Sequence, residues 1–415
     1  MKVTLLSREY PPEVYGGAGV HVEYLARELS RLADVEVRFF GDPGAQNYPS
    51  GENPAVQAFF PWESLSSQPP EGPLLQVLSV NLAMASGLKG TDIVHTHTWY
   101  AGFAGHISKL LYGIPLVVTV HSLEPLRPWK SEQLGAGGYG AASFCERIAI
   151  ESADSIIAVS NAMRDDVLRC YPQVDSRRVE VIHNGVDTDL YQPDPATDVL
   201  EKYGIDPACP YVLFVGRITR QKGISHLLDA AERIDSAFPL ILCAGAADSP
   251  EIAGEVAGQI ERLKVQRGNV VWINRALAKS EVIQLASHAT VFCCPSVYEP
   301  LGIVNLEAMA CGTAVVATAV GGIPEVVDDG VTGLLAPFEP NQDGSWGPKD
   351  ANELAANLAE RINLLLADPD LAGEFGRSGR RRVIDEFTWT SIAETTVKLY
   401  EGLAGTTLYP SLNNR

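Results

Sequence analysis

Short apolar runs of four to six residues alternate with longer amphipathic stretches along nearly the whole chain, and the pattern occurs twice. Runs at 3–6, 35–40, 92–95, 115–120, 155–159 and 179–182 form a first series, with helix-like stretches at 19–32, 102–111, 141–153 and from about 161 between them. The runs do not alternate polar with apolar residues, so each is read as a strand buried on both faces. Strand, helix, strand in that order specifies a parallel sheet covered on both sides. The series lapses over 183–201, HNGVDTDLYQPDPATDVLE, which is polar, turn-rich and carries two prolines. It then restarts with runs at 211–215, 240–244, 270–273, 290–294, 314–318 and 332–335 and helix-like stretches between them. At 415 residues the chain exceeds the size at which one core stops growing. The expectation is an α/β protein of two facing Rossmann-like domains with a ligand cleft between them. The first spans 1–190 and the second 191–387, and a terminal helix in 388–415 packs back on the first. Residues 41–75, rich in Pro, Gly, Ser and Gln, read as a surface excursion, 340–349 as a loop and 402–415 as a frayed end.

A formal net charge of −19 argues against nucleic acid and against an anionic membrane surface as partners. No run reaches 18 apolar residues, the first ten residues lack a secretory h-region, and seven irregularly spaced cysteines read as free thiols. A cytoplasmic protein is expected. His95, His97 and His121 fall near strand ends, but no carboxylate or thiol accompanies them at metal spacing, and no metal is expected.

Ligands of open parallel sheets bind beyond the carboxyl ends of the strands. After the first strand, Gly16, Gly17 and Gly19 open a helix, where bare backbone N–H groups suit an anion. They lie too far beyond the strand, and lack the third glycine, for a nicotinamide-dinucleotide fingerprint. After 211–215, Arg217 and Lys222 leave the sheet beside a helix start, two cations suited to a diphosphate. After 290–294 comes Glu299 in a loop, then Glu307 inside an otherwise apolar helix that opens near Gly302. Gly-rich turns, two cations, helix N-termini and two carboxylates describe a site for a nucleoside diphosphate bearing a hydroxyl-rich group.

These stretches resemble the retaining two-lobed glycosyltransferases (the GT-B fold, glycosyltransferase family 4 type), and among them the bacterial glycogen synthase and maltose-1-phosphate synthase group. The motifs are YPPEVYGGAG (10–19), HTHTWYAG (95–102), TVHSLEPLRPWK (119–130), HNGVD (183–187), VGRITRQKG (215–223) and PSVYEPLGIVNLEAMACGTAVVA (295–317). The resemblance implies a glucosyltransferase that retains anomeric configuration and uses a nucleotide-sugar donor, ADP-glucose, with no metal or other cofactor. It implies that Gly17, with Gly16, approaches the donor phosphate and that Arg217 and Lys222 clamp the diphosphate. Glu299 holds the donor glucose, Glu307 lies near the ribose, and the backbone of Leu301, Gly302 and Ile303 meets phosphate or sugar. His121 lies beside the reacting carbon. Catalytic roles accordingly fall to His121, Glu299, Arg217 and Lys222. The acceptor expected first is the non-reducing end of an α-1,4-glucan, as in glycogen synthase. The alternative acceptor is glucose 1-phosphate, giving maltose 1-phosphate, with Arg127 and Lys130 placed to meet an anion. A UDP-glucose enzyme of sucrose or trehalose type and a non-catalytic sugar- or nucleotide-binding protein on the same fold are the remaining readings.

Overall fold

The computed structural model describes residues 1–14, 16–42, 53–65, 72–127, 129–341 and 347–405. The chain divides into two compact units, one made of Met1–Asn184 with Trp389–Arg415 and the other of Gly185–Thr388.

The first unit holds seven strands: β1 (Lys2–Ser7), β2 (Asp34–Phe40), β3 (Ala55–Phe59), β4 (Ile93–His97), β5 (Leu116–Val120), β6 (Ser155–Ala158) and β7 (Val179–Val181). They pair in parallel in the order β3-β2-β1-β4-β5-β6-β7. The second unit holds β8 (Val212–Arg217), β9 (Leu240–Gly245), β10 (Val270–Ile273), β11 (Val291–Cys294), β12 (Ala314–Thr318) and β13 (Gly333–Ala336). These are also parallel, in the order β10-β9-β8-β11-β12-β13. β4, β5, β6, β11 and β12 are buried at every position, as strands without polar alternation must be when helices cover both faces.

In each sheet the chain winds outward one way and then returns to wind the other. The reversal falls between β1 and β4 in the first sheet and between β8 and β11 in the second. At such switch points neighbouring loops diverge and leave a crevice beyond the strand ends. Residues following β1 and β4, and β8 and β11, are therefore the ones the fold offers to a ligand.

The structure departs from the sequence expectation in two places. The excursion over 41–75 contains β3, an edge strand. Its positions Ala55 and Gln57 are exposed, and this breaks the continuous apolar run by which the inner strands are recognised. The helical stretch ending at Ser152 begins at Lys130 rather than 141 and is kinked at Gly135, whose backbone is not helical. Its glycine-rich first half, including Gly135 at φ 67°, hides the helical period. Residues 43–52 and 66–71 of the excursion, 342–346 of the loop over 340–349 and 406–415 of the end lie outside the described residues.

The terminal helix Trp389–Gly405 belongs to the first unit. Trp389 is buried, parallel to the Tyr24 ring at 5.8 Å and edge-on to His21 at 5.2 Å. Tyr400, fully buried, bonds through its hydroxyl to His95 Nδ1 at 2.6 Å, and His95 Nε2 bonds Thr119 Oγ1 at 2.6 Å. His95 is thus tied at both ring nitrogens and serves to join this helix to β4 and β5.

Candidate functional site

In the second unit, the segments following β8, β11 and β12 are stitched together by backbone. Val297 N–H donates to Gln221 O at 2.9 Å, and Gly322 N–H to Glu299 O at 2.9 Å. Gly223 (φ 62°) and Gly321 (φ 55°) make the approach possible. A Cβ on Gly223 would lie 1.9 Å from Pro295 O, and one on Gly321 would lie 2.0 Å from Glu299 O. Both sites combine a left-handed backbone with no room for a side chain.

This framework sets Lys222 against Glu299, Nζ to Oε2, at 2.7 Å. Ser296 Oγ donates to the same oxygen at 3.0 Å. The carboxylate is buried and the ammonium about a quarter exposed, at 9% and 23%. Burial, the largest single influence, pulls the Lys222 pKa down, but the Glu299 carboxylate and Cys294 together outweigh it, and the net direction is up. Lys222 is therefore charged at neutral pH. Arg217, the last residue of β8, donates to Asp248 Oδ1 at 2.8 Å. The two cations leave the same strand end but hold different carboxylates.

Gly302 (φ 99°) precedes the helix Ile303–Ala310, with Leu301 buried before it and Ile303 at its first position. Glu307 follows Asn305 by just over half a turn in that helix. Burial raises its pKa, while a hydrogen bond with Tyr191 lowers it. It lines a small apolar pocket with Tyr191, Val282, Val304 and Cys311. Lys222, Glu299, Leu301, Gly302, Ile303 and Glu307 thus all lie on the segments following β8 and β11, the strands that flank the reversal.

In the first unit, Gly16 caps the helix Gly17–Leu29 without a side-chain cap. Gly16 N–H donates to Glu9 Oε2 at 2.8 Å, and a Cβ on Gly16 would meet nothing within 4 Å. Gly19 is the constrained glycine, since its Cβ would lie 2.7 Å from Glu9 Oε2 and 2.8 Å from Glu9 Cβ. Gly17 is exposed in the first turn. His121 follows β5, with Nε2 3.2 Å from Nδ1 of His97 at the end of β4. His21, from the helix, stands edge-on to His121 at 4.7 Å between ring centroids. Burial holds all three rings neutral: His21 is lowered to about 4, and His97 and His121 well below the ordinary value, with neighbouring histidines adding to the shift.

Sequence reasoning missed four partners: Ser296, Asp248, Tyr191 and Glu9. None sits in a distinctive spacing, because each acts by filling the reach of a residue brought near by the fold. It also missed Asn305, fully buried two residues before Glu307, whose amide oxygen and nitrogen have no partner among the described residues.

Glu146 is a further buried carboxylate. It accepts from the Glu124 N–H at 2.9 and 3.1 Å and from the Tyr171 hydroxyl at 2.5 Å. It therefore pins the turn that ends in Arg127. Burial pushes its pKa up to about 8, against the pull of the Tyr171 hydrogen bond.

Two family models match the chain, "Glycosyltransferase Family 4" over residues 15–190 and "Glycosyl transferases group 1" over 197–382. An α-maltose-1-phosphate synthase of Mycolicibacterium smegmatis is 50% identical over 403 residues, covering 96% of this chain and 99% of that one. A glycogen synthase of Mycobacterium tuberculosis is 28% identical over 442 residues, covering 96% and 94%. Among solved structures, sucrose-phosphate synthase from Thermosynechococcus elongatus superposes with a TM-score of 0.77 at 26% identity, covering 98% of this chain and 100% of that one.

Two tests follow from this geometry. Lys222→Ala or Glu299→Gln lowers kcat by at least about 100-fold, because each removes charge held in a water-poor site; near-normal turnover in either variant would remove the pair from the chemistry. The second concerns Glu146. Its folded pKa is raised from 4.5, so the folded chain keeps a proton that the unfolded chain has lost. The stability this gives is complete below about pH 4.5 and is lost as pH rises toward about 8. Urea unfolding at pH 5 and pH 8 should show a larger loss for the wild type than for Glu146→Gln, and parallel losses would contradict the assignment.

Proposed function

The chain belongs to glycosyltransferase family 4, the retaining enzymes of GT-B fold, and we propose that it transfers glucose from ADP-glucose to glucose 1-phosphate, releasing ADP and forming maltose 1-phosphate. At the coarser level it is a nucleotide-sugar-dependent glycosyltransferase of the glycogen synthase and maltose-1-phosphate synthase group. The observation that carries the finer reading is full-length identity of 50% to an α-maltose-1-phosphate synthase, against 28% to a glycogen synthase. It moves glucose 1-phosphate ahead of the glucan that the motifs first suggest.

A second observation favours an anionic acceptor. Arg127 donates from Nη1 to Ser122 Oγ at 2.7 Å and pairs with Glu124 Oε1 at 3.5 Å, while its Nε is buried without a partner among the described residues. The Arg8 guanidinium lies 5.5 Å from the centre of the Tyr100 ring; burial raises the Tyr100 pKa, Arg8 and Arg127 lower it, and Glu124 and Glu9 raise it. Arg8 and Arg127 are thus cations that the phosphate of an acceptor would engage in competition with Glu124 and Glu9, and that a neutral glucan would not.

In this reading the 4-hydroxyl of glucose 1-phosphate attacks the donor C1 from the face that the diphosphate leaves. The C1–O bond to phosphate breaks, the new C1–O4 bond forms, and the hydroxyl proton passes to a diphosphate oxygen. Arg217, Lys222 and the N-termini that follow Gly223 and Gly302 offset the charge gathering on ADP. Gly16 and Gly17 meet the donor phosphate, Glu299 orients the sugar hydroxyls, Glu307 the ribose, and His121 lies by the reacting carbon. The second unit holds the donor and the first the acceptor, with the domain limits 1–190, 191–387 and 388–415. A cytoplasmic setting accords with five of the seven cysteines being buried free thiols. No described helix is long and apolar enough to cross a membrane.

Product analysis by phosphorus NMR with ADP-glucose and either acceptor tests the reading. Maltose 1-phosphate should form with the higher kcat/KM, and Arg127→Ala should raise the KM for glucose 1-phosphate at least about 10-fold, the weight of a charged hydrogen bond, while the donor KM holds. Faster elongation of glycogen would restore the glucan reading.

A further inference from the structure

The cluster His21, His97 and His121 has a property that sugar transfer does not use. One ring nitrogen from each of the three lies within 4.8 Å of the others. His97 Nδ1 and His121 Nε2 are 3.2 Å apart, close to the roughly 3.4 Å that separates two imidazole nitrogens on one tetrahedral zinc ion. His21 is pre-oriented. Its Nδ1 lies 2.7 Å from Asn184 Oδ1, an oxygen that can only accept, so Nδ1 carries the proton and Nε2 keeps its lone pair. That Nε2 is buried and has no partner among the described residues. A buried imidazole lone pair without a donor is a cost in the empty protein and an asset to a metal ion. His95 does not take part, being bonded at both nitrogens.

We propose that His21, His97 and His121 form a three-nitrogen site for a divalent transition-metal ion, with Asn184 orienting His21 from behind and a fourth position open. Three neutral imidazoles select Zn²⁺, Co²⁺, Ni²⁺ or Cu²⁺ over Mg²⁺ or Ca²⁺, which require oxygen ligands. The site is not needed for transfer. Because it engages His121, its occupation inhibits; that consequence alone rests on the placement of His121 beside the donor sugar.

The test is titration of the full chelator-treated chain with CoCl₂, reading the visible absorption of four-coordinate Co²⁺, then displacement by ZnCl₂. One equivalent should bind. His21→Ala should weaken binding at least about 100-fold and Asn184→Ala about 10- to 100-fold, the range for a group that orients a ligand. His288→Gln, at a half-buried histidine of the second unit, should change nothing. His97 is fully buried and its variants endanger folding, so His21→Ala with a wild-type circular dichroism spectrum decides. Absence of a four-coordinate spectrum, or unchanged affinity in His21→Ala, overturns the site. Co²⁺ binding with undiminished transferase activity would keep the site and remove His121 from the reacting sugar, leaving the product test above unaffected.

Discussion

The ion pair between Lys222 and Glu299 is the interaction on which the proposed chemistry of the second unit depends. It joins the segments that follow β8 and β11, the strands between which the chain reverses its winding. Neither charge is well exposed, and breaking a buried pair leaves the other charge uncompensated at a cost of about 3–5 kcal/mol. Ser296 and the left-handed glycines Gly223 and Gly321 exist, structurally, to let that pair form. In the proposed reaction the pair keeps a cation fixed where the leaving diphosphate gathers charge, so no reorganisation is needed. Arg217 contributes differently: Asp248 holds it, and its side chain is about a third exposed, leaving it freer to be drawn to a ligand.

The first unit follows the other half of the same logic. Its residues with chemistry also gather beyond β1, β4 and β5, but there the histidines are neutral and the cations are guanidiniums near an aromatic ring. A fixed ammonium suits a leaving group of high charge density. Planar guanidiniums suit recognition of a phosphate that stays intact, as in the proposed acceptor. Glu146, by gripping the Glu124 N–H, links the position of Arg127 to a buried carboxylate some twenty residues further along the chain.

The doubly wound sheets were legible because inner strands bury both faces and show as unbroken apolar runs, as at 116–120 and 314–318. β3 escaped because an edge strand exposes alternate residues, and the first half of the helix at 130–152 escaped because glycines erase its period. Arg217, Lys222, Glu299 and Glu307 were legible as polar residues at strand ends and in an apolar helix. Their partners Asp248, Ser296 and Tyr191 were not, since partnership is set by loop closure rather than spacing. Among the histidines, the sequence placed His95 beside His97 and His121; His95 and His97 do share one face of β4, with ring centroids 4.2 Å apart, but His95 is bonded at both ring nitrogens, to Tyr400 and Thr119, and the third position falls to His21, from a helix some 75 residues earlier.

The central claim is that Lys222 and Glu299 act as one unit in holding the donor diphosphate. A double-mutant cycle on ADP affinity, measured by calorimetry on the wild type, Lys222→Met, Glu299→Gln and the double variant, addresses it most directly. The account predicts that each single change weakens binding and that the double variant loses less than the sum, by a coupling of about 0.5–3 kcal/mol. Additive losses, or ADP affinity unchanged in all three variants, would contradict it.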